Sequence, residues 1–429
     1  MSTPNAMDVL RDRSFVQDVT DEEGLRAAFD SGPVTFYYGM DPSAPSLHAG
    51  NLIGLMAMGW LQRLGHRPIA LAGGGTGRIG DPSFKDAERP LIDEATLEAN
   101  LEGIRRQASQ FVDLEAGLLV DNHDWLGQLS LMGFLRDVGK YVSVNQMIGR
   151  EAVKRRLEER DQGISFTEFC YALLQAYDFV HLYRTHDCRL QIGGSDQWGN
   201  ITAGTDLVRR MENGPAFGLV WPLLTTADGA KFGKTAGNAV WLDGDLTSPY
   251  AYYQYWINAA DDDVERFLKL FTFLSLDQIA ALMKEHEKAP SQRGAQKRLA
   301  EEATLIVHGQ PGVDEAVRAS DVLFGDQPFS GLSDAVLDDA FAGAPSVSLP
   351  PDSITGDLTV AQLMTLVGAA KSSGEARRLV TQGGVRINNV VVSDATRPLV
   401  ADDLSSPSTV VMRVGKKRYF VGRIDTGYH

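Results

Sequence analysis

Cysteine is scarce in this sequence, with two residues, Cys170 and Cys188, among 429. Two cysteines build no disulfide framework, and neither belongs to a Cys-x-x-Cys pair that would suggest zinc. Long apolar runs are missing too. Nothing approaches the roughly 18 uninterrupted apolar residues that a membrane span needs, and the N-terminal stretch MSTPNAMDVLRDRSFVQDVTDEEGL contains no apolar segment of the signal-peptide kind. These absences lead us to expect a cytoplasmic protein in a reducing compartment. Compositional bias is also absent: 43% hydrophobic and 23% charged residues disfavour disordered and fibrous classes. A chain of this length has room for two or three domains, each with its own core.

Charge is what the sequence has in excess, and it is unevenly placed. The formal net charge of −15 argues against nucleic-acid binding over the whole surface. From residue 357 onward, however, there are 10 Lys and Arg against 6 Asp and Glu. The tail is basic at +4 while the rest carries −19, a polarity that gives the tail a separate role.

In the first half, apolar strand-like runs alternate with helical patterns: PVTFYYG, a helix over about 47–64, RPIALAGGG, and later CRLQIGGS before another helix. This alternation predicts an α/β fold with a parallel sheet, whose Gly-rich turns follow the strands where such sheets bind ligands. From about 249 to 325 the pattern is helical, with Phe267, Leu270, Phe271, Leu274, Ile279 and Leu282 at helical spacings. Residues 326–356 are rich in Pro, Ser, Gly, Ala and Asp and read as a linker with a short helix near 333–341. Beyond it, Ser372 and Glu375 open a capped helix that Gly383 and Gly384 stop before short strands, giving a small α+β module. The expected domains are therefore residues 1–222, 223–325 and 357–429, with the linker at 326–356.

Five constellations bear on chemistry. YYGMDPSAPSLHAGN, residues 37–51, runs from a strand through a turn into a helix. His48 and Asn51 lie three apart in the helix's first turn, where unpaired N–H groups attract anions, although the same residues also suit a plain cap. ALAGGGTGRIGDPSFKDAER, residues 70–89, contains Gly75, Gly77 and Gly80 in a G-x-G-x-x-G pattern. That fingerprint belongs in the first strand-helix turn, whereas here a strand and helix come earlier and Asp81-Pro82 interrupts it, so NAD and FAD are disfavoured. SFTEFCYALLQAYDFVHLYR, residues 165–184, is a helix opened by Ser165 and Glu168, with Tyr171, Gln175 and Asp178 as a polar stripe among apolar residues. The stripe is either an internal hydrogen-bond network or the wall of a pocket for a small polar ligand such as an amino acid.

In LQIGGSDQWGN, residues 190–200, Asp196 either caps the following helix or accepts the two hydroxyls of a ribose. KFGKT, residues 231–235, ends like a P-loop, but the earlier glycine that motif requires is Asp228, which excludes a Walker site. Its two lysines still suit a polyphosphate as point charges. His181, His186 and Cys188 lack a fourth ligand at a plausible spacing, so no protein-bound metal is expected.

In this order the motifs resemble the bacterial tyrosyl-tRNA synthetases of class I over essentially the whole chain. HAGN at 48–51 is similar to the HIGH motif, and KFGKT to KMSKS with both lysines kept. The resemblance implies a Rossmann-like catalytic domain with a dimer-forming insertion at about 120–165, a helical anticodon-stem domain and an S4-like RNA-binding domain. It implies that ATP activates tyrosine and that tRNA receives it, with Mg²⁺ carried on the ATP phosphates and the chain acting as a homodimer. By the same resemblance Tyr37 and Asp178 bond the phenolic hydroxyl, while Asp81, Tyr171 and Gln175 hold the α-ammonium and Gln197 lies near the carboxylate. Gly39, Asp41, Gly194 and Asp196 match adenosine-binding positions. Ser43, His48, Asn51, Lys85, Arg89, Lys231, Lys234 and Thr235 match those that act on the phosphates and ribose. Arg209 and Arg210 match positions near the acceptor arm, and Lys371, Arg377, Arg378 and Arg386 would meet tRNA phosphates. Asn51 stands where a histidine is more familiar, and Phe232, Gly233 and Thr235 depart from the commonest KMSKS wording. Tryptophanyl-tRNA synthetases share the class I core, but Tyr37 with Asp178 and the basic tail oppose that reading. A non-catalytic RNA-binding protein with a synthetase body is opposed by the intact phosphate and adenosine positions.

Overall fold

The computed structural model describes residues 4–81, 92–113, 117–149, 153–154, 164–227, 229, 232–235, 238–324, 328–329, 331–354, 358–415 and 418–425. They fall into two units, Met1–Asp243 with Ala259–Leu299, and Gly244–Asn258 with Ala300–His429.

The first unit is built on a six-stranded sheet of β1 (Asp18–Val19), β2 (Thr35–Met40), β3 (Arg67–Ala72), β4 (Leu118–Asp121), β5 (Cys188–Gly194) and β6 (Phe217–Trp221). Their order is β1-β6-β5-β2-β3-β4, parallel throughout except for β1 at one edge. Helices cover both faces, which is why the inner strands read as unbroken apolar runs such as RPIALA rather than as alternating ones. Tyr37, Ile69 and Leu71 pack with Ala176, Phe179 and Val180 of helix Phe166–His186 and with Leu207 of helix Trp198–Glu212. From the opposite face Ala72 meets Leu97 and Leu101 of helix Glu94–Ala108. The chain leaves β2 to form β3 and β4 on one side, then crosses to form β5 and β6 on the other. A crevice results at the carboxyl ends of β2 and β5, where sheets of this kind take ligands.

Helix Asp261–Phe271 belongs to this unit because Arg13 fastens it to helix Ala49–Arg63. The Arg13 guanidinium lies 3.6 Å over the Trp60 ring and donates to the carbonyls of Lys269, at 3.1 Å, and Leu274. Burial pulls its pKa down to about 10, still far above neutral, so the cation persists. A small hairpin, β7 (Lys234–Thr235) with β8 (Asn238–Ala239), follows the sheet in sequence.

The second unit carries a five-stranded sheet of β9 (Ser346–Leu349), β10 (Val385–Ile387), β11 (Val390–Val391), β12 (Thr409–Val414) and β13 (Arg418–Ile424), ordered β11-β10-β12-β13-β9. Alternation puts Val410, Met412, Val414 and Phe420 into a core with helices Val360–Leu366 and Ser373–Thr381. Val411 and Val421, on the other face, enter a second core with Tyr250, Ala319, Val336, Leu337 and Phe341. This two-sided burial changes two expectations. The helical stretch expected as one domain over 223–325 is divided between the units, since part of it packs on the second sheet. The stretch 326–356, expected as a linker with a short helix near 333–341, carries that helix, Asp334–Ala340 capped by Ser333, but also contributes the edge strand β9. Its small and polar residues hid Val336, Leu337 and Leu349, which are buried.

Among the described residues no helix is long and apolar enough to cross a membrane. Leu131, Met132, Leu135, Val144, Ile148 and Phe166 are exposed large apolar side chains of the first unit.

Candidate active site

A cavity of about 620 Å³ opens at the carboxyl ends of β2 and β5, within the range of small-molecule sites. All five sequence constellations reach it, KFGKT through Phe232. Tyr37, Gly39, Asp41, Ser43, His48 and Asn51 arrive on β2 and the turn after it, with Asp81 from the glycine turn after β3. Tyr171, Gln175 and Asp178 come from helix Phe166–His186, and Gly194, Asp196 and Gln197 from the end of β5. The polar stripe is thus both a pocket wall and a hydrogen-bond network.

That network starts at Asp178, which is 1% exposed. Its two oxygens accept from Trp125 Nε1 at 2.8 Å and Asn122 Nδ2 at 3.0 Å. Burial, with Asp41 and Asp121 nearby, outweighs these donors and raises its pKa to about 8. Asn122 also donates to Thr76 Oγ1 at 3.0 Å. Thr76 donates to Asp41 at 2.8 Å, and the Tyr171 hydroxyl donates to the other Asp41 oxygen at 2.8 Å. Burial, Asp41 and Asp81 push the Tyr171 phenol well above its ordinary pKa, so it remains a donor. Gln197 Nε2 donates to Asp81 at 2.8 Å and to Asp196 at 3.2 Å.

The Tyr37 hydroxyl is fully buried and has no hydrogen-bond partner among the described residues, and neither does Gln191 Oε1. Both residues line the same cavity as Asp178. Burial and the Asp178 charge hold the Tyr37 phenol well above its usual pKa. An unpaired buried hydroxyl costs about 1–3 kcal/mol, so a ligand group that bonds it recovers that amount.

Gln197, not Asp196, occupies the N-cap of helix Trp198–Glu212, and it makes no side-chain cap bond there. The glycine turn after β3 gives its amides to the protein's own side chains. Gly74 N donates to Asp121 at 3.1 Å and Gly75 N to Asn122 Oδ1 at 2.7 Å, so those two N–H groups are already taken and do not face a pyrophosphate.

His48 caps helix Ala49–Arg63: Nδ1 accepts from Gly50 N at 3.0 Å, and Asn51 Oδ1 accepts from His48 N at 3.1 Å. A neutral His48 therefore carries its proton on Nε2. Asn51 keeps its amide hydrogens for donation, and a side-chain bond joins it to Tyr38. The capping and ligand roles coexist. KFGKT is joined to this turn by backbone. Ala49 N donates to the Val240 carbonyl at 2.8 Å, and Val240 N to the Gly233 carbonyl at 2.9 Å. Gly233 has φ +81°, and a Cβ there would sit 2.8 Å from Gly50 N.

Lys85, Arg89 and Lys231 lie outside the described residues, and for Lys234 and Thr235 only the backbone, in β7, is described. Arg209 and Arg210 are exposed at the end of helix Trp198–Glu212, where both pair with Asp206. Arg210 also donates to the Tyr141 carbonyl at 2.9 Å. Lys371, just before helix Ser373–Thr381, and Arg377 and Arg378, in its second half, are exposed. Arg386 is half-buried on β10 and donates to the Asn389 carbonyl at 3.1 Å. Among the described residues no group of three His, Cys, Asp or Glu gathers to hold a metal. Sequence reasoning missed Thr76, Asn122, Trp125 and Gln191. The available signals were a polar cluster, DNHDW, just after a strand and a lone glutamine inside an apolar one.

Residues 30–325 match the family described as tRNA synthetases class I (W and Y), and residues 337–422 match a tyrosine–tRNA ligase SYY-like C-terminal domain. The chain is 46% identical to a tyrosine–tRNA ligase of Porphyromonas gingivalis, over 97% of this chain and 99% of that one. It is 47% identical to one from Rhodopirellula baltica, over 99% and 98% respectively. The crystal structure of a C-terminally truncated mitochondrial tyrosyl-tRNA synthetase of Aspergillus nidulans matches with a TM-score of 0.69 and 33% identity, covering 75% of this chain and 94% of that one.

The titration of Asp178 predicts a pH effect. Above about pH 4 the unfolded chain has lost this proton, whereas the folded chain keeps it to about pH 8. In that window the folded state binds the extra proton, so rising pH lowers stability. Relative to Asp178→Asn, the wild-type unfolding free energy, measured by urea titration between pH 5 and 8, should fall by up to about 1.4 kcal/mol per pH unit. A constant difference would mean that the carboxyl titrates at its ordinary value. A second expectation concerns two glycines with nearly equal φ. Gly229, at +82°, has open space around a Cβ, unlike Gly233. Both alanine variants bear the left-handed backbone strain of about 1–2 kcal/mol, but Gly233→Ala should unfold at clearly lower denaturant. Equal midpoints would refute the close approach.

Proposed function

The chain belongs to the class I tyrosyl-tRNA synthetases, and from that premise we propose how its residues divide the work of a tyrosine–tRNA ligase. Its substrates are tyrosine, ATP and tRNA. The tyrosine carboxylate attacks the α-phosphorus of ATP, pyrophosphate leaves, and the 3′-terminal ribose of tRNA then takes the tyrosyl group. The nucleophile is already ionised at neutral pH, so catalysis comes from positioning and from stabilising charge on the phosphates.

Tyr37 and Asp178 bond the phenolic hydroxyl, and the partnerless, buried Tyr37 hydroxyl beside Asp178 is the observation that carries this reading. Phenylalanine would leave the Tyr37 hydroxyl unpaired in a desolvated pocket, at about 1–3 kcal/mol. Asp81, Tyr171 and Gln175 hold the α-ammonium, and Gln197, fixed by Asp81, sits beside the reacting carboxylate. Asp196 with Gly194, Gly39 and Asp41 receive adenosine, and the Asn51 amide donates to the ribose. His48 at its helix N-terminus, Ser43, Lys85, Arg89, Lys231, Lys234 and Thr235 meet the phosphates, with Mg²⁺ arriving as part of the ATP substrate.

Leu131, Met132, Leu135, Val144, Ile148 and Phe166, exposed on the first unit, support a homodimer built on residues 120–165. Arg209 and Arg210 approach the acceptor arm, the helices of residues 223–325 the anticodon stem, and the C-terminal module of residues 357–429, S4-like in its sheet and two helices, binds tRNA through Lys371, Arg377, Arg378 and Arg386. Two scarce, unpaired cysteines support a cytoplasmic location.

Exchange of labelled pyrophosphate into ATP should proceed with tyrosine and fail with tryptophan or phenylalanine at equal concentration, and Tyr37→Phe should narrow the gap between tyrosine and phenylalanine by about tenfold, from about 1.4 kcal/mol. Equal exchange with tryptophan would sink the tyrosine reading. Arg377→Ala with Arg378→Ala should leave exchange unchanged but weaken tRNA binding, lowering the slope of log affinity against log salt by about 0.7–0.9 per lost phosphate contact. An unaltered slope would remove these two residues from the tRNA surface.

A further inference from the structure

Helix Asp261–Phe271 reaches both ends of the segment that leads into KFGKT. Asp263, in its first turn, is 4% exposed. One carboxylate oxygen accepts from Ala227 N at 2.7 Å and the other from Arg266 at 2.9 Å. Arg266 also donates to the Thr225 carbonyl at 2.7 Å. Further along the helix, Phe267 and Phe271 receive the Phe232 ring at centroid distances of 5.1 and 5.0 Å, nearly parallel to Phe271. Positions 263, 266, 267 and 271 are spaced to share one helix face. Phe232 N donates to the Leu224 carbonyl at 3.2 Å, which joins the two ends of the segment. Leu224, Thr225 and Phe232 line the cavity.

An acidic residue that only complemented its own helix dipole would keep its carboxylate in water. Asp263 instead buries it, with one oxygen bound by the backbone of the segment and the other by the arginine that binds the same segment. We propose that Asp263 and Arg266 are positioning residues for tyrosine activation: they fix residues 225–227 and, with the Phe232 seat, determine where the KFGKT lysines meet ATP. The proposal rests on the reading that those lysines serve the ATP phosphates. Neither residue lines the cavity, so their effect passes through the segment they hold.

The test compares full-length Asp263→Ala, Arg266→Met, Lys234→Ala and the two doubles that combine either change with Lys234→Ala. The readouts are tyrosine-dependent pyrophosphate exchange, tyrosine affinity without ATP, and melting temperature. Asp263→Ala and Arg266→Met should each slow exchange by between about tenfold and a hundredfold, with tyrosine affinity held within about twofold. In the Lys234→Ala background either change should cost little more, because residues acting through one group are non-additive. Retained exchange in the single variants, or the same loss repeated in the doubles, would overturn the proposal, as would tyrosine affinity falling in step with rate. Lys234→Ala at full rate would instead remove the premise about the lysines. If Asp263→Ala does not fold, Arg266→Met decides alone, since its side chain is 38% exposed and its loss opens no core cavity.

Discussion

A carboxyl group carried into the interior needs its oxygens bonded even when it keeps its proton, and at Asp178 much of the site's layout answers that requirement. Trp125 and Asn122, its two donors, come from the turn after β4. Asn122 uses its own oxygen to accept from the glycine turn after β3, at Gly75 N, and its amide to reach Thr76. Thr76 and Tyr171 then bond the two oxygens of Asp41 after β2. Turns after three neighbouring strands are thus fixed to one another and to the helix Phe166–His186. Asp178 and Asp41 therefore share one frame, so a disturbance at Asp178 reaches the turn after β2.

Within that frame the local environments give similar groups different states. Three phenols line the cavity, those of Tyr37, Tyr38 and Tyr171, and burial raises the pKa of each. Tyr171 has spent its proton on Asp41, whereas the Tyr37 hydroxyl waits for a partner. Tyr171 consequently has only lone pairs to offer a ligand, whereas Tyr37 still has a proton to donate. The same logic separates the glycine turns. The one after β3 is satisfied internally at Gly74 and Gly75, while Gly194, at the end of β5, lines the cavity beside Asp196.

The sequence made the strand-turn-helix order legible because apolar runs and glycine turns are local signals, and the polar stripe because three polar residues on a buried helix need partners. It left Asn122 and Trp125 unmarked. Each is an ordinary residue in its own string and becomes a ligand to Asp178 only when the parallel sheet brings together positions more than 50 apart. Phe267 and Phe271 were legible as an apolar face, but periodicity identifies a face without its occupant, which here includes Phe232. The stretch 326–356 misled for the opposite reason. Its composition suits a linker, yet a few alternating apolar residues suffice to place β9 beside β13, where the neighbouring strand supplies the hydrogen bonds.

Selection of the amino acid and handling of ATP make opposite physical demands, and in the proposed division of work they fall to different kinds of structure. Rejecting a missing hydroxyl needs desolvated groups held still, and Tyr37 in β2 and Asp178 in a 21-residue helix provide that rigidity. Phosphates need N–H groups and cations that sheets and helix interiors have already used, so in that proposal they fall to element ends: the first turn at His48 and the Gly-containing segment KFGKT. Segments of that kind lack the internal hydrogen bonds that would place them. Their position must come from neighbours, which explains why Gly233 lies against Gly50 with no room for a side chain, and why a helix outside the cavity buries an acid to hold residues 225–227.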